Sequence, residues 1–337
     1  MELILHTYNL KLKHKFKIAH DAREVQKTLI VELKNGLFSG YGEATASKYY
    51  GNSIDSMINL LEHNRLLIES YNGENPDEFW NVTKQNLGTN SFAQCAVDVA
   101  VNDLYGKLLE KPLYKIWGVN NKTLPTSNYT IGIDAIDVMV TKMNEMPWPK
   151  YKIKLGTKDD IAIIKELRKH TSSLFRVDAN CAWGIDETIN NSKELKKYNV
   201  QFIEQPLAAD NWQGMKEVYE KSELPIIADE SCITEQDVAK CAEYFDGINI
   251  KLMKCGGLTP ARRMIKEAKN LGLKVMVGCM TESSVGISAI SQLLPQLDYV
   301  DMDGFMLISN DIANGPKLKD SKIIMSGGNG TGVVLKA

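Results

Sequence analysis

The sequence predicts an α/β protein: a parallel (β/α)8 barrel of the TIM type behind an α+β N-terminal capping domain. Three observations predict it. Seven short apolar runs recur between Tyr151 and Gly304, each ending in a polar or charged tip: YKIKLG, FRVDAN, QFIEQP, PIIADE, INIKLM, KVMVGCM and YVDMDG. The first five tips carry Lys154, Asp178, Glu204, Asp229 and Lys251, separated by 24, 26, 25 and 22 residues, the length that a strand, a helix and two loops need. The chain before Asn120 does not share this rhythm.

In chain order, residues 2–12 and 27–34 alternate with period two and read as strands. Asn35-Gly36 is a hairpin turn, and Gly40 to Ala44 finishes the returning strand. Ser53 to Glu69 reads as one helix with Ile54, Met57, Ile58, Leu60 and Leu61 on its apolar side. Ser91 to Leu109 reads as a second, with a broad stripe from Ala93 to Leu108 that Lys111-Pro112 ends. Strands followed by helices make an α+β unit. The polar stretch from Asn120 to Ser127, with Pro125, marks a boundary. The expected domains are therefore a cap over 1–119, a barrel over 120–310 and a closing segment over 311–337 that returns to the cap.

NYTIGI, from Asn128 to Ile133, supplies an eighth barrel strand. Asp159 to His170, with Ile161, Ile163, Ile164 and Leu167, is one intervening helix. Thr259-Pro260 reads as cap and first position of another, running to Leu271. Eight such repeats favour a closed barrel over an open sheet, and no Gly-rich phosphate turn follows NYTIGI. The glycines from Gly327 to Gly332 lack the Lys-Ser/Thr of a phosphate loop and read as turns in the closing segment.

The 337 residues are 44% apolar and 24% charged with a net charge of -2. That balance gives no reason to expect nucleic acid or an anionic membrane as a partner. No apolar run approaches the ~20 residues that cross a bilayer. The charged, alternating N-terminus lacks a signal-peptide layout, so a cytoplasmic location is expected. Six cysteines occur without any C-x-x-C pair, which predicts reduced thiols and no zinc site.

Residues at the C-terminal ends of barrel strands face the active site. Asp178, Glu204 and Asp229 come from three consecutive strands, and three carboxylates without histidine suit one hard divalent cation per subunit, Mg2+. Their mutual repulsion calls for positive charge among them. Lys152 and Lys154 share one face of the preceding strand. Crowded ammonium groups and a metal are expected to lower the pKa of at least one of them into the range of a base. Lys251 lies on the other side of the ring. An α-proton could leave from one face and return to the other while the metal holds the carboxylate as an enediolate.

The stretches KIKLG, RVDAN, FIEQP, IADES and INIKLMKCGG resemble the enolase superfamily, and within it the muconate-cycloisomerase-like subgroup, over essentially the whole chain. By that resemblance Asp178, Glu204 and Asp229 bind Mg2+, Lys154 and Lys251 are the acid/base pair, and Lys152 supports Lys154 and contacts the substrate carboxylate. None of the five histidines, His6, His14, His20, His63 and His170, ends a barrel strand. This disfavours mandelate-racemase-like chemistry and sugar-acid dehydration, which use a histidine there.

In YVDMDG, Asp301 and Asp303 fall on one face of the last strand and suit a free ammonium group. This looks like the dipeptide epimerases, where the D-x-D holds the N-terminal amine. The resemblance implies inversion of the C-terminal α-carbon of an L-Ala-X dipeptide, L-Ala-D/L-Glu included, with a role in cell-wall peptide metabolism. Thr130 and Met280, on the first and seventh barrel strands, join the expected substrate-binding set. The alternative is a cycloisomerase or an o-succinylbenzoate synthase-type reaction, whose substrates carry no ammonium. A non-catalytic scaffold predicts a missing lysine or acid, and none is missing. In alanyl-glutamate epimerases an arginine after the first strand engages the glutamate. Alignment of KFKIAHDAREVQKTLIVEL puts Asp21 there and Arg23 two residues on, leaving side-chain specificity open. Residues 18–23 and 49–52 are expected to shape that pocket. The sequence leaves a homo-oligomer open.

Overall fold

The computed structural model describes residues 1–18, 21–119, 123–319 and 322–336. Three antiparallel strands open the chain in the order β1 (Glu2–Ile18), β2 (Asp21–Asn35) and β3 (Phe38–Thr45). The first two are longer than their alternating cores. A register shift between Lys11 and Phe16 lets the ribbon continue with Phe16 opposite Arg23 and Ile18 opposite Asp21. Ala19 and His20, within the expected pocket-shaping stretch, lie outside the described residues. The Asn35-Gly36 turn brings Asn35 opposite Phe38, with Gly36 at a φ of 59°.

The single helix expected over Ser53 to Glu69 is two, α1 (Ile54–His63) and α2 (Arg65–Glu69). Asn64 divides them, its side-chain amide donating to the Leu60 carbonyl at 2.9 Å. A further helix, α3 (Pro76–Leu87), was not expected. Its apolar pattern is thin, and only the Asn75-Pro76 start announces it. The helix α4 (Ser91–Leu108) is buried nearly all round and lies against β3. The approach is backbone to backbone: a Cβ at Gly42 would sit 2.0 Å from the Ala96 carbonyl oxygen.

Eight parallel strands follow: β4 (Tyr129–Ile131), β5 (Lys150–Lys154), β6 (Leu174–Asp178), β7 (Val200–Glu204), β8 (Ile226–Ala228), β9 (Gly247–Lys251), β10 (Lys274–Gly278) and β11 (Tyr299–Asp301). Each pairs with its sequence neighbour. Between β11 and β4 the contacts come from side chains and strand ends. Asn128 Nδ2 donates to Asp301 Oδ1 at 2.6 Å, the Thr130 amide to Asp303 Oδ2 at 2.5 Å, and the Met302 amide to Ser127 Oγ at 3.0 Å. The barrel is thus nearly closed, and its seam runs through the predicted D-x-D.

The helix expected to start at Thr259-Pro260 spans Leu258–Asn270, capped by Gly257. Thr259 is not the cap because its amide donates to Asp98 Oδ2 of α4 at 2.9 Å: a carboxylate of the α+β unit takes the capping role. One continuous apolar core joins that unit to the barrel. The closing segment returns to α4, where Asp103 Oδ1 accepts from the Thr331 amide and hydroxyl at 2.8 and 2.9 Å. All six cysteines are free thiols, with Cys181 and Cys279 half-buried. Among the described residues, no helix is long and apolar enough to cross a membrane.

Candidate active site

The fold aims the predicted acids at one point. Asp178 and Glu204 end β6 and β7, and Asp229 follows β8. All three are fully buried, and one oxygen from each lies within 4.8 Å of the others. The turns that aim them are unusual. Asn180, Cys181 and Gln205 take positive φ angles of 44°, 65° and 36°, within three residues of the first two acids. Gln205 Oε1 accepts from the amides of Asp229 and Ser231, both at 3.0 Å, which fixes the third.

Lysines surround this cluster. Lys154 Nζ lies 2.6 Å from Asp178 Oδ2, and Lys251 Nζ lies 2.6 Å from Asp229 Oδ2. The three strands that lead to the acids, β6, β7 and β8, separate β5 from β9, so these two lysines approach from across the ring. Lys152 is buried between Asp178, Glu204 and Asp301 at 3.0, 2.8 and 2.9 Å. The Glu204 oxygen in that contact, Oε2, lacks hydrogen-bond geometry, whereas Oε1 accepts from both Lys152 and Asn249. A fourth lysine, Lys254, is fully buried. It donates to Asp229 Oδ1 at 2.6 Å and to the carbonyls of Asp229, Cys232 and Asn249.

The electrostatics follow from this interleaving. Burial opposes the charge of Asp178, but Lys152 and Lys154 outweigh it and hold its pKa well below the usual range. Asp229 is depressed in the same way against burial, by Lys251 and Lys254. Glu204 is pushed up to about 8 by burial and by Asp178. Lys152 is not the lysine whose pKa crowding lowers: burial works against its charge, yet Asp178, Asp301 and Glu204 prevail and raise it. Lys251 is raised likewise, mainly by Asp229 against burial. The pairing that matters is lysine to carboxylate, not lysine to lysine.

A cavity of about 330 Å³ opens beside the cluster. Lys152, Lys154, Lys251, Thr130, Met280, Asp301, Asp303, Asp21 and Arg23 all line it, so every predicted substrate-facing residue reaches one space. Asp303 departs from the expected strand position. β11 ends at Asp301, and Asp303 caps the short helix Gly304–Leu307, its carboxylate turned back to the Thr130 amide. Asp301 is tied to Lys152 and Asn128. From the α+β unit the lining run is Ser47 to Tyr50, a little upstream of the expected 49–52.

Sequence reasoning passed over Glu230 and Lys254. Glu230 lines the cavity and has one buried oxygen without a hydrogen-bond partner. It was hidden because period two turns it away from Asp229 on an ideal strand, but the strand has already ended at Ala228. Lys254 follows Lys251 by one helical turn, a spacing that could have revealed it.

Three buried carboxylates within mutual reach of one ion fit a hard divalent cation, and the opposed lysines beside them fit proton transfer. The fold and the site define an enolase-like barrel enzyme. The chain belongs to the mandelate racemase / muconate lactonizing enzyme family: residues 1–118 match its N-terminal domain, and residues 136–337 match the enolase C-terminal domain-like family. Among its relatives is an L-Ala-D/L-amino acid epimerase of Flavobacterium johnsoniae, 58% identical over 99% of this chain and 100% of its own. Among solved structures, the substrate-liganded L-Ala-D/L-Glu epimerase of Bacillus subtilis superposes with a TM-score of 0.95 at 26% identity, covering 100% of this chain and 99% of its own. The dipeptide epimerase of Enterococcus faecalis V583, complexed with Mg and L-Leu-L-Tyr, gives 0.92 at 28% identity over 98% of both chains.

Proposed function

We propose that this chain is a Mg2+-dependent dipeptide epimerase, inverting the α-carbon of the C-terminal residue of an L-Ala-X dipeptide by two-base proton transfer. The observation that carries the reading is the placement of Lys154 and Lys251 across one acidic trio, in a cavity that also holds Asp301 and Asp303. The epimerase relatives support it. Asp178, Glu204 and Asp229 are the residues that would hold the ion. When bound, a divalent cation there would supply counter-charge to the substrate carboxylate as it becomes an enediolate.

Lys154 or Lys251, according to the diastereomer, takes the α-proton as a neutral amine. The C–H electron pair moves into the carboxylate. The lysine across the site, as an ammonium, returns a proton to the opposite face. No bond to water forms, and nothing is oxidised. Lys152 faces the substrate carboxylate, while Asp303 and Asp301 receive the N-terminal ammonium. The same reading divides the chain into a cap of 1–119, a barrel of 120–310 and a closing segment of 311–337; residues 120–122, 320–321 and 337 lie outside the described residues. By resemblance, the enzyme would act in the cytoplasm on small cell-wall peptides.

The direct test incubates the protein with Mg2+ and mixed dipeptides in D2O. Solvent deuterium should enter the C-terminal α-position and both diastereomers should appear. Turnover of a cyclohexadiene acid without exchange in any dipeptide would overturn the reading. The amine contact has its own test. Asp303→Asn should lower kcat/KM for dipeptides roughly ten- to hundredfold, the loss of a hydrogen bond to a charged group, and far less for N-acylated analogues. Equal losses would remove Asp303 from amine binding. Burial and Asp301 push Asp303 up to about 7. Its carboxylate form, the one that holds an ammonium, therefore grows as pH rises through about 7, and KM for dipeptides should fall over the same rise.

A further inference from the structure

One wall of the cavity, from β1 and β2, carries a cluster of paired polar side chains. Strand-end charges surround the reacting centre. The lining also includes Phe16, Ile18, Tyr50, Met280 and Leu307, together with Asp21 and Arg23. Arg23 is committed on both sides: Nη2 donates to Asp21 Oδ2, and Nη1 donates to Gln26 Oε1. Gln26 is itself fixed. It is 3% exposed, and its Nε2 donates to the carbonyls of Lys27 and Ala46 at 2.9 and 2.8 Å, which turns its Oε1 toward Arg23. Asp21 Oδ1 accepts from the Ala22 amide at 2.9 Å. Both partners of the guanidinium are thus anchored to backbone, and its charge is cancelled within the wall.

The ribbon places this clamp beside apolar side chains, with Arg23 opposite Phe16 and Asp21 opposite Ile18. A carboxylate side chain of a substrate that reached the remaining N–H groups of Arg23 would stand next to Asp21, and an ammonium that reached Asp21 would stand next to Arg23. The pair is partly exposed, at 25% and 31%, so its own strength is modest. The larger effect is the like charge that a charged ligand side chain meets beside its partner. An uncharged side chain meets neither problem.

We infer that this subsite selects dipeptides whose C-terminal side chain is uncharged, aliphatic or aromatic, and that the Asp21–Arg23–Gln26 clamp excludes acidic and basic ones. The inference rests on the epimerase reading. It is tested by kcat/KM for L-Ala-L-Leu, L-Ala-L-Phe, L-Ala-L-Glu and L-Ala-L-Lys, followed as α-deuterium uptake with Mg2+ in D2O. The native chain should favour leucine and phenylalanine over glutamate and lysine by roughly tenfold or more. Asp21→Ala frees Arg23 and should raise the Glu/Leu ratio by a similar factor. Arg23→Ala frees Asp21 and should raise the Lys/Leu ratio instead. Ratios are read within each variant, so a smaller folded fraction cancels. Exchange with ratios unmoved in both variants, or a native preference for glutamate or lysine, overturns the subsite alone. Absence of exchange with all four dipeptides overturns the epimerase reading and the subsite with it.

Discussion

Lys154→Ala and Lys251→Ala are each expected to abolish epimerisation while leaving proton exchange on one face. Inversion needs a proton carrier on both sides of the α-carbon, and the two lysines stand on β5 and β9 with three strands between them. A positioned acid or base contributes about 10²–10⁴-fold to a rate. Losing either should therefore cost epimerisation roughly 10²–10⁴-fold. The remaining lysine still faces one diastereomer. It can remove that α-proton and return a solvent-derived one to the same face. In D2O each variant should label one diastereomer and leave its configuration unchanged, and the two variants should label opposite ones. Full epimerisation in both would rule out the two-base mechanism. Loss of all exchange in both would show that the lysines act together on one proton.

The residues behind that prediction were legible because the chemistry demands particular types at a fold-imposed interval. A barrel repeats its strand ends at nearly constant spacing, so Lys154, Asp178, Glu204, Asp229 and Lys251 announce themselves. The missing pieces have local or long-range causes. Asp303 left the expected strand face because β11 stops at Asp301 and a helical turn begins. The helix Pro76–Leu87 went unseen because its outward face is polar and its buried residues are few. The lengthened β1–β2 ribbon depends on a register shift that alternation cannot show. The clamp on Arg23 depends on Gln26, whose orientation is set by the Ala46 carbonyl twenty residues away, just past the end of β3. That Lys152 is raised was not legible for a related reason. The K-x-K pair is visible in one strand, but the three carboxylates that outweigh it arrive from β6, β7 and β11.

Lys254 separates framework from chemistry, and its removal should have the largest effect on stability. Its ammonium is fully buried and meets the Asp229 carboxylate and three backbone carbonyls. Substitution by methionine keeps much of the volume and removes every donor. Breaking a buried charge pair by deleting one partner typically costs about 3–5 kcal/mol. Lys251 still neutralises part of Asp229, which argues for the lower end. The three carbonyls lose their donor in a site closed to water, which argues for the upper end. Lys254→Met should therefore lose about 3–5 kcal/mol, read as a lower urea midpoint at unchanged slope. Lys254→Gln provides the control. It packs less well than methionine but keeps an amide that can donate to a carbonyl. If the donated hydrogen bonds hold the loop after β8, glutamine is the milder change. If shape alone matters, methionine is milder, and the ammonium has no part in fixing Asp229.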